Sequence, residues 1–200
     1  MNYSNSHRII VLLIVVLLSF SFTYAQWNED EEETNKGKFF LSPDFGLQLG
    51  TLTRIEVSPS VGYYPLDRLA LGIGARYEFY KNNFDGASIP QTHIYGGKVF
   101  SRFILIKNID NIIPLNMYTS IFLHAENELL SLESRYFKWP DYPPEGRFFL
   151  NTVLAGAGFL QPSGLRSAFT FMVLWDLTNN SLRSPYPNPV MRIGFQFLLN

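Results

Sequence analysis

Apolar and polar residues alternate at every second position through most of the chain from Phe39 onward. In a β-strand, alternate side chains point to opposite faces, so this pattern predicts strands with one apolar and one polar face. The alternation recurs in eight segments, near residues 39–49, 54–63, 68–79, 92–105, 114–130, 147–160, 165–177 and 192–199. Such segments suit a tilted membrane-spanning strand, which needs about 10 residues.

The connections between these segments fall into two sets. Turns are predicted at residues 65–67, 107–112 and 161–164, and the connections at the opposite end at 50–52, 82–91, 131–146 and 178–188. This order predicts an all-β fold, an eight-stranded antiparallel up-and-down transmembrane β-barrel over residues 38–200, without a second domain. An even number of strands puts both termini on the side of the turns, which would be periplasmic.

The residues before the barrel have a different character. Residues 1–25 are predicted to be a cleaved signal peptide, with Arg8 before an apolar run and small residues at the cleavage site. The run at 9–22 is shorter than the ~20 residues of a spanning helix, although a permanent anchor is the alternative. Residues 26–37 contain five consecutive acids and are predicted to be a disordered periplasmic tail.

The two faces of the predicted strands differ in charge. Aromatic residues stand near strand ends on the apolar face, as in the interfacial girdles of membrane barrels: Tyr63, Phe103 and Phe197 at one end, and Phe79, Tyr95 and Trp175 at the other. The opposite face carries Asp44, Arg54, Glu56, Arg76, Glu78, Lys98, Arg102, Glu126, Glu128, Arg147, Arg166, Asp176 and Arg192. This arrangement predicts an apolar face toward lipid and a charged lumen, although a soluble barrel with a solvated charged face is the alternative.

The predicted lumen is narrow, because an eight-stranded barrel is only wide enough for side chains to fill. Its acids and bases nearly balance, which indicates a plug of ion pairs rather than an ion-selective pore. If Tyr64 faces Arg68 across the 65–67 turn, Glu56 pairs with Arg76 and Arg54 pairs with Glu78. These two lumen ion pairs are predicted contacts.

Glycines on the polar face and the C-terminal strand together carry a family resemblance. The strand ends Gly194-Phe195-Gln196-Phe197-Leu198-Leu199, followed by Asn200. The chain resembles the small eight-stranded bacterial outer-membrane β-barrels of the OmpA/OmpX/OmpW type. The resemblance implies an outer-membrane location, membrane lipids as neighbours and the barrel-assembly machinery as a partner during biogenesis. Gly194, Phe197 and Leu199 would form the assembly signal.

The architecture leaves three functions open. The first is a non-catalytic structural or surface-interacting protein with a charge-plugged lumen. The second is a small channel or transporter for small or apolar solutes.

Loop 131–146 offers a contact surface for an extracellular or envelope protein partner, although it could instead cap the barrel mouth. The residues of this surface are Arg135, Tyr136, Phe137, Trp139 and Tyr142.

The third function is a lipid-modifying enzyme, a lipid A or phospholipid hydrolase. His124 and Glu126 share the lumen face, but Ser120 is the nearest serine in sequence on that face. A nucleophilic site needs a serine beside the histidine, so no catalytic residue is assigned and the chain is not predicted to be an enzyme. Without cysteine and with three scattered histidines, no metal or cofactor is predicted. A net charge of -1 argues against nucleic acid as a partner.

Overall fold

A computed structural model describes residues 34–48, 52–82, 91–114, 116–134, 146–178, 185–186 and 188–199. The strands are β1 Phe39–Gln48, β2 Leu52–Leu66, β3 Leu69–Asn82, β4 Gln91–Ile106, β5 Ser120–Glu133, β6 Arg147–Pro162, β7 Ser167–Asp176 and β8 Val190–Leu198. They form a closed antiparallel barrel in sequence order. The predicted eight-stranded up-and-down fold is confirmed.

Some predictions lie outside the described residues. These are the signal peptide at 1–25, the acidic part of the tail at 26–37, and the loop contact surface formed by Arg135, Tyr136, Phe137, Trp139 and Tyr142. Within the described ranges, no helix is long and apolar enough to cross a membrane.

The two ends of the barrel are called here the turn end and the loop end. At the turn end, β2 and β3 are joined through Asp67 and Arg68, and β4 is joined to β5 through a short 3-10 helix at Ile109–Asn111. The connection between β6 and β7 also lies at this end. The first strand starts at the turn end and the last strand finishes there, because antiparallel strands alternate in direction.

The barrel closes where β8 pairs with β1. Leu41 faces Phe197 and Asp44 faces Gly194 across this seam. The backbone N–H of Leu199 donates to the carbonyl of Phe39 at 2.7 Å. Closure leaves no free sheet edge, which is the condition for a sheet to stand in a bilayer.

The predicted register between β2 and β3 is wrong by two residues. Glu56 faces Glu78, and Arg54 faces Tyr80. At the turn, Leu66 faces Leu69, and the ladder is irregular between Leu66 and Tyr63, which faces Leu71, so the turn and the irregularity together set the observed register. A shift of two residues keeps every side chain on its predicted face, since the side-chain period of a strand is also two.

The predicted faces of β6 are reversed in the structure. Phe148, Leu150 and Leu154 are buried inside the barrel, whereas Arg147 and Phe149 are exposed on the outer wall. The buried side chains belong to one apolar cluster with inward residues of β5, among them Leu130 and Leu132. Next to β5 and β6, the part of the lumen nearest the loop end is therefore filled by apolar side chains rather than by ion pairs.

Two other charges predicted in the lumen lie elsewhere. Arg166 is exposed in the connection between β6 and β7. Asp176 ends β7 and is only half-buried, and its carboxylate accepts from the backbone N–H of Thr178 at 2.8 Å. Both residues lie at or beyond a strand end, at a rim of the barrel. There, the alternation of faces along a strand no longer determines which side chains are buried.

Candidate functional site

The outer wall of the barrel is apolar and the lumen is charged. On the wall, Ile73, Val99 and Leu123 are 66%, 55% and 46% exposed. The buried charged residues of the described chain are five acids and five bases: Asp44, Glu56, Glu78, Glu126, Glu128, Arg54, Arg76, Lys98, Arg102 and Arg192. A soluble barrel has the opposite polarity, because burying apolar side chains away from water and exposing polar ones to it is favourable. The chain is a transmembrane β-barrel.

Arg76 occupies the centre of the buried charges. Its guanidinium lies 3.1 Å from Glu56 and 2.8 Å from Glu128, and it also contacts Glu78. Tyr186 lies against the same group, with its ring centroid 4.6 Å from the guanidinium carbon and its hydroxyl bonded to Glu128. One cation therefore bridges carboxylates from three strands, β2, β3 and β5.

Arg192, on the closing strand, makes a second bridge. Its Nε lies 2.9 Å from Glu56 and its Nη2 lies 3.0 Å from Glu128, while Nη1 contacts Glu126. Glu56 and Glu128 are thus each shared with Arg76. Because β8 is the last strand, this bridge connects the end of the chain to β2 and β5 through the lumen.

The two predicted lumen pairs are both in contact. Arg54 Nε lies 2.7 Å from Glu78, and Arg76 lies 3.1 Å from Glu56. Neither pair is directly opposite in the ladder, because the register differs from the predicted one. The side chains instead meet diagonally, at a separation that long side chains can span.

Lys98 and His124 extend the network toward the turn end. Lys98 Nζ lies 3.1 Å from Asp44 and 3.5 Å from Glu126. His124 Nε2 lies 3.2 Å from Glu126, and its ring stacks on Phe100 at 5.4 Å. These residues and the two bridges above define the ionic plug: Asp44, Arg54, Glu56, Arg76, Glu78, Lys98, His124, Glu126, Glu128 and Arg192.

An aromatic layer lies beside the ionic plug on its turn side. The guanidinium of Arg102 stacks 4.4 Å from the ring of Phe122 and donates to Gln196 at 2.9 Å. Phe40 covers Gly62 so closely that a Cβ on this glycine would lie 2.1 Å from the phenyl ring. Glycine is required at this position because the ring occupies the space of a side chain.

Two cavities flank this filled interior. One of about 280 Å³ opens toward the loop end and includes Gly46, Arg54 and Glu56 in its lining. One of about 90 Å³ lies at the turn end, beside Tyr64 and Gln196. The two linings share no residue, and the ionic plug and the aromatic layer lie between them.

The residues considered for catalysis do not form a nucleophilic site. The Ser120 hydroxyl donates to the carbonyl of Lys107 at 2.6 Å, whereas His124 bonds Glu126 and packs on Phe100. Among the described residues, no three potential metal ligands cluster at metal-binding geometry. The arrangement neutralises buried charge and fills space.

Besides the inward residues of β6, sequence reasoning missed Tyr186 as a member of the interior. This residue lies between β7 and β8, in the stretch predicted to be an exposed loop, yet it is buried and contacts Arg76 and Glu128. Alternation cannot find a residue outside a strand. The prolines on either side of it in the sequence indicate a turn but give no direction for the side chain.

No protein-family model matches the chain, and no curated protein sequence matches it significantly. Among solved structures, it is similar to the N-terminal β-barrel domain of Pseudomonas aeruginosa OprF, with 10% identity and a TM-score of 0.49 over 82% of this chain and 98% of that one. It is also similar to a de novo designed transmembrane β-barrel, with 12% identity and a TM-score of 0.40 over 84% of this chain and 99% of the other.

Proposed function

We propose that the barrel is a non-catalytic integral protein of the bacterial outer membrane, with a sealed lumen and a structural or surface-interacting role. The observation that carries this proposal is the pair of arginine bridges. Arg76 and Arg192 share Glu56 and Glu128, so residues of four strands meet in one charge-neutral cluster. An ion crossing the lumen would have to separate these pairs.

The energetic cost of that separation supports a closed lumen. Buried ion pairs are not strong net stabilisers, but breaking one leaves an uncompensated charge in a low-dielectric interior, at a cost of about 3–5 kcal/mol. The plug contains several such pairs that share partners, so opening a path would break more than one at once. A role for the lumen in conduction is therefore disfavoured.

The proposed orientation of the barrel in the membrane follows from the two kinds of connection between its strands. Bacterial transmembrane barrels of this kind have short periplasmic turns and longer extracellular loops. On that basis, both termini are periplasmic and the loop end faces outward. Interaction with an extracellular or envelope partner would then occur through the loops, including the stretch with Arg135, Tyr136, Phe137, Trp139 and Tyr142. Assembly would use the β8 residues Gly194 and Phe197, with Leu199 just beyond the strand.

Conductance in planar lipid bilayers tests the sealed lumen. The folded protein is expected to give no stable current. The matched variant carries Arg192→Ala and Glu126→Ala, which removes one base and one acid and leaves the net charge unchanged. This variant is expected to give fluctuating current, because both partners of one ion pair in the plug are removed together. Stable ohmic current from the unmodified protein would contradict the proposal and support a channel or transporter for small solutes.

A further inference from the structure

A cluster of aromatic and basic side chains lies on the outer wall at the loop end. We call it the rim cluster and define it as Tyr77, Lys81, His93, Tyr95 and Arg147, from β3, β4 and β6. All five project outward, and the exposed fraction of Tyr95 is 49%. The cluster occupies the edge of the apolar belt, where aromatic girdles mark the depth of the lipid headgroups.

Arg147 is held in a fixed position within the rim cluster. Its Nε donates to the Ser131 hydroxyl at 2.9 Å, and its Nη2 donates to the carbonyls of Ser131 at 2.6 Å and His93 at 2.7 Å. The guanidinium carbon lies 5.0 Å from the centroid of the Tyr95 ring. Among the described residues, none accepts from its Nη1, so no described group occupies two of the N–H groups of this cation.

His93 presents a second donor beside Arg147. The Tyr77 hydroxyl lies 2.9 Å from His93 Nδ1, and the two rings stack with centroids 5.9 Å apart. When the phenol donates to Nδ1, the proton of the neutral imidazole lies on Nε2. That nitrogen has no partner among the described residues, so the histidine offers an N–H at the same rim.

The described charged residues of this region carry a net positive charge. Lys81 is exposed two positions beyond Phe79, which faces His93 across the β3–β4 ladder. Glu133 faces Arg147 and brings one negative charge, but its carboxylate accepts from the Thr92 hydroxyl at 2.8 Å, and Thr92 is buried on the lumen side. Among the described residues here, Arg147, Lys81 and Glu133 therefore leave a net positive charge.

We propose that the rim cluster binds the phosphate of a membrane lipid headgroup. The guanidinium plane of Arg147 matches phosphate oxygens, and charge-assisted hydrogen bonds of this type are about twice as strong as neutral ones. The apolar belt below the cluster receives the acyl chains, which selects a lipid over free phosphate. This inference rests on the membrane placement proposed above, because only a bilayer brings both parts of the ligand to this wall.

Binding of dioctanoyl phosphatidate to the detergent-folded full-length barrel tests this site, with affinities measured by native mass spectrometry. Dioctanoyl glycerol, which lacks the phosphate, and inorganic phosphate, which lacks the chains, are the comparison ligands. The unmodified protein is expected to bind phosphatidate more tightly than either. Arg147→Gln is expected to weaken phosphatidate binding about tenfold, the equivalent of one lost charge-assisted hydrogen bond. Lys81→Gln is expected to weaken it by a smaller factor.

Arg68→Gln is the matched control, because Arg68 is also exposed but lies at the turn end, where one of its nitrogens donates to the Leu105 carbonyl at 3.2 Å. It should leave phosphatidate binding unchanged. Equal loss in the Arg68 and Arg147 variants, or no loss in the Arg147 and Lys81 variants, overturns the site. Equal binding of inorganic phosphate overturns the choice of a lipid. Heat-modifiable gel migration and bilayer conductance report separately on the fold and the sealed lumen.

Discussion

Glu56 lies directly opposite Glu78 across the β2–β3 ladder. Two carboxylates at facing positions repel each other, and here both are buried. The arrangement holds because Arg76 contacts both and Arg54 reaches Glu78 from the far side, at 2.7 Å. The guanidinium groups therefore compensate the two buried carboxylates that the strand pairing brings together.

Replacing Arg76 with methionine is expected to destabilise the barrel by about 3–5 kcal/mol, because Glu56, Glu78 and Glu128 lose a shared cation in a buried site. Urea unfolding in lipid vesicles, followed by tryptophan fluorescence, measures the change. Arg68→Met is the control at an exposed position. Adding Glu128→Gln to Arg76→Met should recover part of the loss. Equal stability of the two single variants would show that the plug contributes little.

Gly194→Ala is expected to destabilise the seam between β1 and β8 by about 1–3 kcal/mol. A Cβ at this position would lie 2.7 Å from the Pro43 carbonyl oxygen and 2.5 Å from the Asp44 carboxylate. Gly97→Ala is the matched control, since its Cβ would meet nothing closer than 3.7 Å. Folding yield and urea midpoints of both variants are the measurements. A larger effect at Gly97 would be inconsistent with the described seam.

The alternation could predict the strands, their order and most of their faces, because lipid outside and charge inside impose a period of two. It failed on β6, where the inward positions Phe148 and Leu150 are as apolar as the outward Phe149. With apolar residues on both faces, only the charge of Arg147 suggested a direction. Arg147 is instead held on the outer wall by contacts with Ser131 and Tyr95.

The network inside the lumen was predictable in composition but not in geometry. The pairs between Arg54 and Glu78 and between Arg76 and Glu56 form in a register that the sequence did not reveal. That register follows from a turn in which Leu66 faces Leu69 and from an irregular ladder near Tyr63. Partners from distant strands carry no local signal at all, and the contact of Arg192 with Glu56 is such a case.

Two amide side chains form a hydrogen bond on the outer wall. Asn127 Nδ2 donates to Asn151 Oδ1 at 2.6 Å, between outward positions of β5 and β6. A double-mutant cycle with Asn127→Leu and Asn151→Leu is expected to give a coupling energy of about 0.6 kcal/mol, a typical value for hydrogen bonds in membranes. Urea unfolding in vesicles provides the four free energies. Additive single effects would mean that the bond contributes nothing in lipid.

Asp67 holds the segment before β1 against the turn end. Burial alone would raise the pKa of this carboxyl, but Lys107 Nζ at 2.8 Å and the Asn35 backbone N–H at 2.9 Å lower the pKa below its ordinary value. A lowered pKa in the folded state means stabilisation that is present above the ordinary carboxyl pKa and is lost as pH falls through the folded one.

Asp67→Asn is therefore expected to speed amide hydrogen exchange at Asn35 and Gly37 at neutral pH, with a free-energy change below about 1 kcal/mol because the site is partly exposed. Near pH 2, the variant and the unmodified protein should exchange alike after correction for intrinsic rates. Hydrogen exchange with mass spectrometry makes the comparison. A difference that persists unchanged at pH 2 would mean that the carboxylate charge is not what holds the segment.

The proposed barrel is tested most directly by measuring which face of its strands contacts lipid in a bilayer. Because the chain has no cysteine, single cysteines can carry nitroxide labels at Val99, Leu123 and Ile193 on the wall and at Ser60 and Thr170 in the lumen. Electron paramagnetic resonance then compares collision with oxygen, which concentrates in lipid, at each site. The wall labels are predicted to collide frequently and the lumen labels rarely. The reverse pattern would contradict an apolar wall in lipid around an ionic interior.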